Sequence, residues 1–455
     1  MSLTFKPWVL TILFILATST SWSKPLLDGE VQQFLNSNSV RSEQVLPVII
    51  TYKNLNSRSQ LPSQFRSRSE FQRSLISTTL KTQNQIFNDM LRGQTKRFKT
   101  LWALNGTIAY LTREQLKEVL KHKMISSVTY GHKKVRLMEP ALGSPLNTNS
   151  KFTYGLTKIK IPETRALYSN LDGTGVRVGI LDTGIDATHP EFKGKILNYK
   201  NFSPSSNQRP EDLHGHGTHV AGTIAGGALS GQSIGVAPNV SLIVGRIFDG
   251  NADSTKEKIL LSMQWMADPD GNPETNDFAQ IVNSSWGDDE AYSNRDPQDD
   301  PFCRVVDTWV SLGIIPVFSV GNSGPRPGTV GVPGACPQAL SVGATEINDR
   351  SPHFSSSGPT TWKTVRLIKP EVVAPGVNII STMPRGRYDS MTGTSMSTPH
   401  ISGVLALMLQ ANPKLSVDQA TEALIKGSKD LGTPGKDNTF GWGRADILKS
   451  IELIK

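Results

Sequence analysis

The chain has 455 residues, of which 37% are hydrophobic and 19% charged, with 39 glycines. Such a chain supports a large, turn-rich folded core in two or three domains and excludes a disordered or disulfide-framework protein. Of the net charge of +9, residues 1–140 hold 20 Lys and Arg against 8 Asp and Glu, and residues 141–455 hold 28 against 31, so the basic excess is N-terminal and reads as a solvated face rather than a nucleic-acid footprint.

The first segment, "MSLTFKPWVLTILFILATSTSWSK", places Lys6 before a short apolar run, Trp8 to Ala17, and then small polar residues. The run is too short to span a bilayer and has the three-part layout of a secretory signal over residues 1–23. Ser21 and Ser23 suit a cut before Lys24; an uncleaved anchor is the alternative. No other run is long enough to cross a membrane, so the expectation is a secreted protein, extracellular or periplasmic, without membrane attachment after signal removal.

From Leu46 to Arg136 the pattern predicts a small α+β unit. "LPVIITYK" is a strand. "SEFQRSLISTTLKTQNQIFNDMLRG" has helical spacing, with Ser69 as cap and Gly93 as stop. "FKTLWALNGTIAYLT" carries the Asn-Gly signal of a hairpin. "TREQLKEVLKHK" is a second helix with a capping box, Thr112 and Gln115. "ISSVTYGHK" closes a β-α-β-β-α-β unit of ferredoxin-like type. Residues 141–150, rich in Pro, Gly, Asn and Ser like the two before them, predict an exposed, cleavable linker.

Beyond Lys151, "GVRVGILDTGI", "SLIVGRIF", "AQIVNSSW", "GIIPVFSVG" and "ALSVGA" are Val- and Ile-rich runs. They alternate with helical stretches such as "THVAGTIAGG", "KEKILLSMQWMA" and "RVVDTWVSL". This alternation predicts an α/β, doubly wound, mostly parallel sheet with helices on both faces, and a site at the carboxyl ends of the strands. The two cysteines, Cys303 and Cys336, flank the segment Ile314 to Val330. In an exported chain an even pair permits one disulfide; two separate buried thiols are the other possibility.

Four short stretches carry chemistry. In "VGILDTGID", Asp182 ends a strand where such a sheet opens its crevice, although strand-end aspartates commonly cap or turn. In "LHGHGTHVAG", His214, His216 and His219 fall within six residues. In "FSVGNSGP", Asn322 lies between glycines after a strand. In "GTSMSTPHISGVLALMLQ", Ser395 opens an apolar, buried helix with Pro399 in its first turn, and a helix N-terminus suits a developing oxyanion.

Together these stretches resemble the subtilisin-like serine proteases, the subtilases, over about Tyr154 to Ile454. "DPDGNPET", "IVNSSWG", "GNSGPRPGTVGVPG" and "FSSSGP" are most similar to the bacillopeptidase F-type branch. The resemblance implies a secreted serine endopeptidase acting through an acyl-enzyme, with Asp182, His216 and Ser395 as catalytic triad. It implies Asn322 as an oxyanion-hole donor with the Ser395 N–H. It gives Ser284, Ser285, Trp286, Gly287 and Gly331 to substrate binding, with Gly331 at the base of the primary pocket, and "GRIFDG" to the start of the other substrate-binding segment. Residues 24–140 resemble an inhibitor-like propeptide, 141–150 would hold the processing site, and 151–455 would be the peptidase. The partners implied are protein or peptide substrates and the chain's own propeptide, with no nucleic acid, and the enzyme is expected to be a monomer.

No cofactor is required for that chemistry. Structural calcium is an open question: the loop after the histidine helix, "GGALSGQSIGVAP", lacks the acidic ligands of relatives, whereas "DPDGNPETND" is rich in oxygen ligands without EF-hand spacing. A metalloenzyme built on the three histidines is the competing reading, but it needs a carboxylate near them as in H-E-x-x-H and leaves the serine and asparagine stretches unexplained. A binding module that kept the fold would have lost a catalytic group, and all four are present.

Overall fold

Seven parallel strands form the centre of the C-terminal portion, in the spatial order Val372–Pro375, Leu340–Thr345, Ile315–Ser319, Ile281–Ser284, Arg177–Asp182, Ser241–Arg246, Ile196–Asn201. The computed structural model describes residues 24–37, 41–53, 65, 67–91, 97–137, 140–144, 150–203, 207–290 and 292–455. The expected signal segment and Gly93 lie outside these, as do Met138, Glu139 and residues 145–149 of the expected linker region.

Alternate residues of each strand feed two cores, as they must when both faces of a sheet are covered. Val178, Ile180, Leu242, Val244 and Val317 join the helices His216–Ala225 and Thr394–Ala411 on one face. Leu181, Ile243, Val282 and Phe318 join the helices Lys256–Ala267 and Pro301–Ser311 on the other. Five strands match the apolar runs. The two edge strands do not: "ILNYKN" is polar and only half buried, whereas Val372–Pro375 is buried throughout but only four residues long, too short to carry a periodic signal. Strand order reverses at Arg177–Asp182, the switch point where doubly wound sheets bind ligands.

The N-terminal unit has a five-stranded sheet in the order Leu26–Leu27, Ile125–Tyr130, Val45–Tyr52, Gly106–Thr112, Phe98–Leu101. Thr112 and Gln115 close the capping box of the helix Arg113–Val119. The longer helix starts earlier than its periodicity suggests: Ser67, not Ser69, is the cap, accepting from the Glu70 N–H at 3.2 Å, and the helix runs Arg68–Asn84 before a π-helical turn, Gln85–Met90. Two serines two residues apart, followed three residues on by Glu70 and Gln72 respectively, fit the capping pattern equally well; only the hydrogen bond that forms distinguishes them.

Two parts of this unit reach beyond it. Lys134–Arg136 pairs antiparallel with Asp253–Thr255, and the Leu137 N–H donates to the Ala252 carbonyl at 3.0 Å. Ala141–Leu142 pairs antiparallel with Thr392 and Met391, and the Gly143 N–H donates to the Ser390 carbonyl at 2.8 Å. The start of the expected linker is therefore a paired strand, although Leu142 remains exposed. Composition gave no warning, because a strand this short is made by main-chain groups that any sequence carries.

Cys303 and Cys336 are bonded, with Cα atoms 5.2 Å apart across a separation of 33 residues. The bridge joins the helix Pro301–Ser311 to the segment that follows Gly331. Closing a loop of that length stabilises by about 3–4 kcal/mol on the chain-entropy account. Replacing both cysteines by serine should lower unfolding free energy in denaturant titrations by about that amount, and a loss under 1 kcal/mol would contradict the assignment.

Candidate active site

The site lies at the carboxyl edge of the sheet. Asp182 ends the strand Arg177–Asp182 and is fully buried. His216 is the first residue of its helix and is equally buried. Its Nδ1 lies 2.6 Å from Asp182 Oδ1, which also accepts from the Thr183 N–H at 2.8 Å. Its Nε2 has no hydrogen-bond partner among the described residues.

Two glycines permit this approach. Gly215 caps the helix at φ +102°, a region L side chains rarely adopt. A Cβ on Gly217 would come within 2.2 Å of the Gly184 carbonyl oxygen, so only glycine lets the helix touch the strand end.

The sequence reading missed the residue that holds the two together. Asp212 is 7% exposed and accepts five hydrogen bonds. Its Oδ1 takes Thr183 Oγ1 at 2.9 Å, the His214 N–H at 3.0 Å and the Gly215 N–H at 2.8 Å. Its Oδ2 takes the N–H and Oγ1 of Thr218 at 2.8 and 2.7 Å. Thr183 Oγ1 in turn accepts from the Gly217 N–H at 2.8 Å. One carboxylate thus clamps the first turn of the histidine helix to the residue after Asp182. The available signal was an aspartate just upstream of a helix-opening glycine, which is a capping pattern.

The other two histidines of the cluster separate by role. His219 is buried and its Nε2 lies 2.9 Å from the Ile379 carbonyl; burial first, and then the neighbouring His216, lower its pKa to about 3. It is a fixed neutral group in the core. His214 is partly exposed, its ring edge-on to His216 with centroids 6.3 Å apart.

Ser395 is the second residue of the helix Thr394–Ala411, which packs against the histidine helix. Its Oγ donates to the Ser285 carbonyl at 3.0 Å, and Ser285 Oγ donates to the Ser395 carbonyl at 3.0 Å. The helix begins at Thr394, so Pro399 sits in its interior, not its first turn. The missing Pro399 N–H is the one that would bond the Ser395 carbonyl, and Ser285 takes its place. Asn322 Oδ1 accepts from the N–H and Oγ1 of Thr394 at 3.0 and 2.8 Å. That fixes the amide's orientation and makes its Nδ2 the end left to donate.

The expected substrate-binding residues divide. Ser284 is the last residue of a central strand, and the chain leaves the sheet from Ser285 onward. The Trp286 side chain is 1% exposed and packs edge-on to Phe248, Phe302 and Phe318. It is a core residue, so only its main chain is available to a substrate; a sequence pattern cannot tell which face of a segment leaving a sheet points inward. Gly331 donates its N–H to Val320, and the next residue, Val332, bridges to Asp288.

In the acidic loop, Asp268, Asp270 and Asp277 bring carboxylate oxygens within 4.8 Å of one another. Burial first, then Asp277 and Asp270, raise the Asp268 pKa to about 6. Gln72 Nε2 donates to Asp268 Oδ2 at 2.6 Å, so the N-terminal unit rests on this loop. The loop after the histidine helix is held instead by Glu191, which accepts from the Gly227 and Leu229 N–H groups at 2.6 and 2.9 Å.

A doubly wound parallel sheet carrying these stretches in this order defines the class as an α/β serine endopeptidase of subtilisin type. Residues 173–443, more than half of the chain, match the subtilase family, and the chain belongs to it. It is 30% identical over 438 residues to Bacillopeptidase F of Bacillus subtilis (strain 168), covering 85% of this chain and 29% of that protein. It is 34% identical over 307 residues to Serine protease AprX of the same organism, covering 62% of this chain and 67% of that protein. With Subtilisin E, also of Bacillus subtilis (strain 168), the identity is 31% over 355 residues, 77% of this chain and 81% of that protein. The chain therefore spans less than a third of the length of Bacillopeptidase F. No helix among the described residues is long and apolar enough to cross a membrane.

The Asp212 clamp has a direct consequence. Asp212→Ala should lower kcat by about 10- to 100-fold, since small misplacements of catalytic groups cost that much. KM should change less than threefold and Asp212→Asn should recover part of the loss, in steady-state peptide hydrolysis normalised to titrated active sites.

Proposed function

We propose that Asp182, His216 and Ser395 form the catalytic triad of a secreted serine endopeptidase made as a self-processing zymogen. His216 Nε2 takes the Ser395 hydroxyl proton as Oγ leaves Ser285 and attacks the peptide carbonyl. Protonated His216 then gives that proton to the leaving amine, and the acyl-enzyme is hydrolysed by water. Asp182 holds the ring through Nδ1 and stabilises the imidazolium. Asn322 Nδ2 and the Ser395 N–H would hold the oxyanion; loss of such an asparagine costs about 10²–10³-fold in kcat, as it does in subtilisin. The observation that carries this reading is the buried 2.6 Å contact from His216 to Asp182, with Nε2 left for the serine. Ser395→Ala and His216→Ala should abolish casein hydrolysis and labelling by a serine-directed phosphonate, whereas His214→Ala should retain both. A dead His214→Ala enzyme beside an active His216→Ala enzyme would overturn the assignment.

Residues 24–140 are the inhibitory propeptide in this reading. Three features support it. The first N–H groups of the helix Lys256–Ala267 donate to the Lys133 and Gly131 carbonyls at 3.1 and 2.9 Å, using a helix terminus that otherwise has no partners. Buried Glu257 accepts from Lys99 Nζ at 3.3 Å and Tyr110 hydroxyl at 2.9 Å, with His132 beside it at 3.3 Å. Finally, the chain runs into the site along Ala252 and out along Ser390. A Cβ on Gly393 would lie 3.3 Å from Pro140 Cβ and 3.4 Å from Asn322 Nδ2, so Pro140 lies beside the oxyanion amide.

Leu137 is thus tied to Ala252 and Pro140 lies beside Asn322, and in this reading the processing cut falls between them, at the Met138–Glu139 bond. A cut within residues 141–150 would lie further along the leaving strand, beyond the Pro140 contact. N-terminal sequencing of the mature enzyme should begin at Glu139, and Ser395→Ala should remain full length; a start at or beyond Lys151 contradicts the placement.

A further inference from the structure

The primary pocket carries a carboxylate whose charge nothing among the described residues neutralises. Beyond the adjacent strands Ile281–Ser284 and Ile315–Ser319, the segments 285–288 and 320–323 leave the sheet side by side, bonded to Ser395 and Thr394 through Ser285 and Asn322, and on the endopeptidase reading the primary pocket lies between them. Its far end is closed by Gly331 and Val332, which tie both walls: the Gly331 N–H donates to the Val320 carbonyl at 3.3 Å, and Asp288 and Val332 exchange main-chain bonds of 2.6 and 3.0 Å. A Cβ on Gly331 would lie 3.0 Å from the Asp288 carbonyl oxygen and 3.3 Å from Asp289 Oδ1. Ser323 Oγ, on the opposite wall, donates to Asp289 Oδ2 at 3.2 Å. The Asp289 carboxylate is therefore held across the end of the pocket, close against the main chain of Gly331, where a Cβ would crowd it.

The neighbouring acids differ. Asp288 lies 3.6 Å from Lys256 Nζ, and Glu290 pairs with Lys256, with Arg295 at 2.6 Å and with Lys133 at 3.0 Å. Asp289 has no ion pair among the described residues and is exposed to water at the pocket end. Resting on the endopeptidase reading above, we propose that Asp289 is a specificity determinant that directs cleavage in trans to bonds following lysine or arginine. A cationic side chain entering past Ser395 would meet a carboxylate aligned by a hydrogen bond, with its stem along the main-chain walls. Self-processing after neutral Met138 would not need this contact, because pairing at Lys134–Arg136 and Ala141–Leu142 makes that cut intramolecular.

The self-processed enzyme should be assayed on two peptides identical except for Lys or Phe before the scissile bond. In Asp289→Asn the ratio of kcat/KM for Lys over Phe should fall roughly tenfold, the scale of one partly water-screened charge pair. In Asp289→Lys it should fall further while a Glu peptide gains. A ratio within twofold of the wild-type value in both variants overturns the inference alone. No hydrolysis of either peptide by wild type, with Ser395 unlabelled by phosphonate, overturns the endopeptidase reading and this inference with it.

Discussion

Burying the Asp182 carboxylate against the His216 imidazole, away from water, costs several kcal/mol unless the groups are held in good geometry. Much of the surrounding structure meets that demand. The strand delivers Asp182 at the switch point of the sheet. Gly215 and Gly217 let the histidine helix come against the strand end without a side chain between them. Asp212 then satisfies the main-chain donors that the helix start leaves open and ties them to Thr183. The Asp182 carboxylate is thus set in place by a second carboxylate that hydrogen-bonds neither the imidazole nor Ser395.

The same economy of main-chain groups governs the N-terminal unit. Its docking uses backbone partners that exist whatever the side chains are: the open N–H groups of the helix Lys256–Ala267, the edge at Asp253–Thr255 and the edge at Arg387–Thr392. Side chains add the registration. Leu137 and Val135 are buried in the same apolar cluster as Phe248 and Met263, and Glu257 collects Lys99 and Tyr110. A basic unit therefore meets local acids of a slightly acidic partner, and its C-terminal stretches Lys134–Arg136 and Ala141–Leu142 are both paired with that partner.

Much of this was legible in the residues. The apolar runs gave five of the seven central strands, the capping box gave the helix at Arg113–Val119, and the motif stretches located Asp182, His216, Asn322 and Ser395. These features are local or repeat with a period, and a motif's spacing reflects the turn it must make. The errors were equally physical. Ser69 for Ser67 and Pro399 for a first-turn proline arise because helix starts depend on which hydrogen bonds form, and propensity fixes them only to within a turn. For Trp286 the sequence left open which way the ring points, and it belongs to the core.

The sequence by itself determined the class of fold, the family and the candidates for the reactive groups, because these rest on periodicity and on side-chain chemistry carried by each residue. Only the tertiary structure decided which carboxylate clamps the histidine helix, which serine trades hydrogen bonds with Ser395, and which acid lies at the end of the pocket. Asp212, Ser285 and Asp289 look ordinary in a string of letters. Each acquires its part from groups as far as 110 residues away, brought within about 3 Å by packing of the two sheet faces.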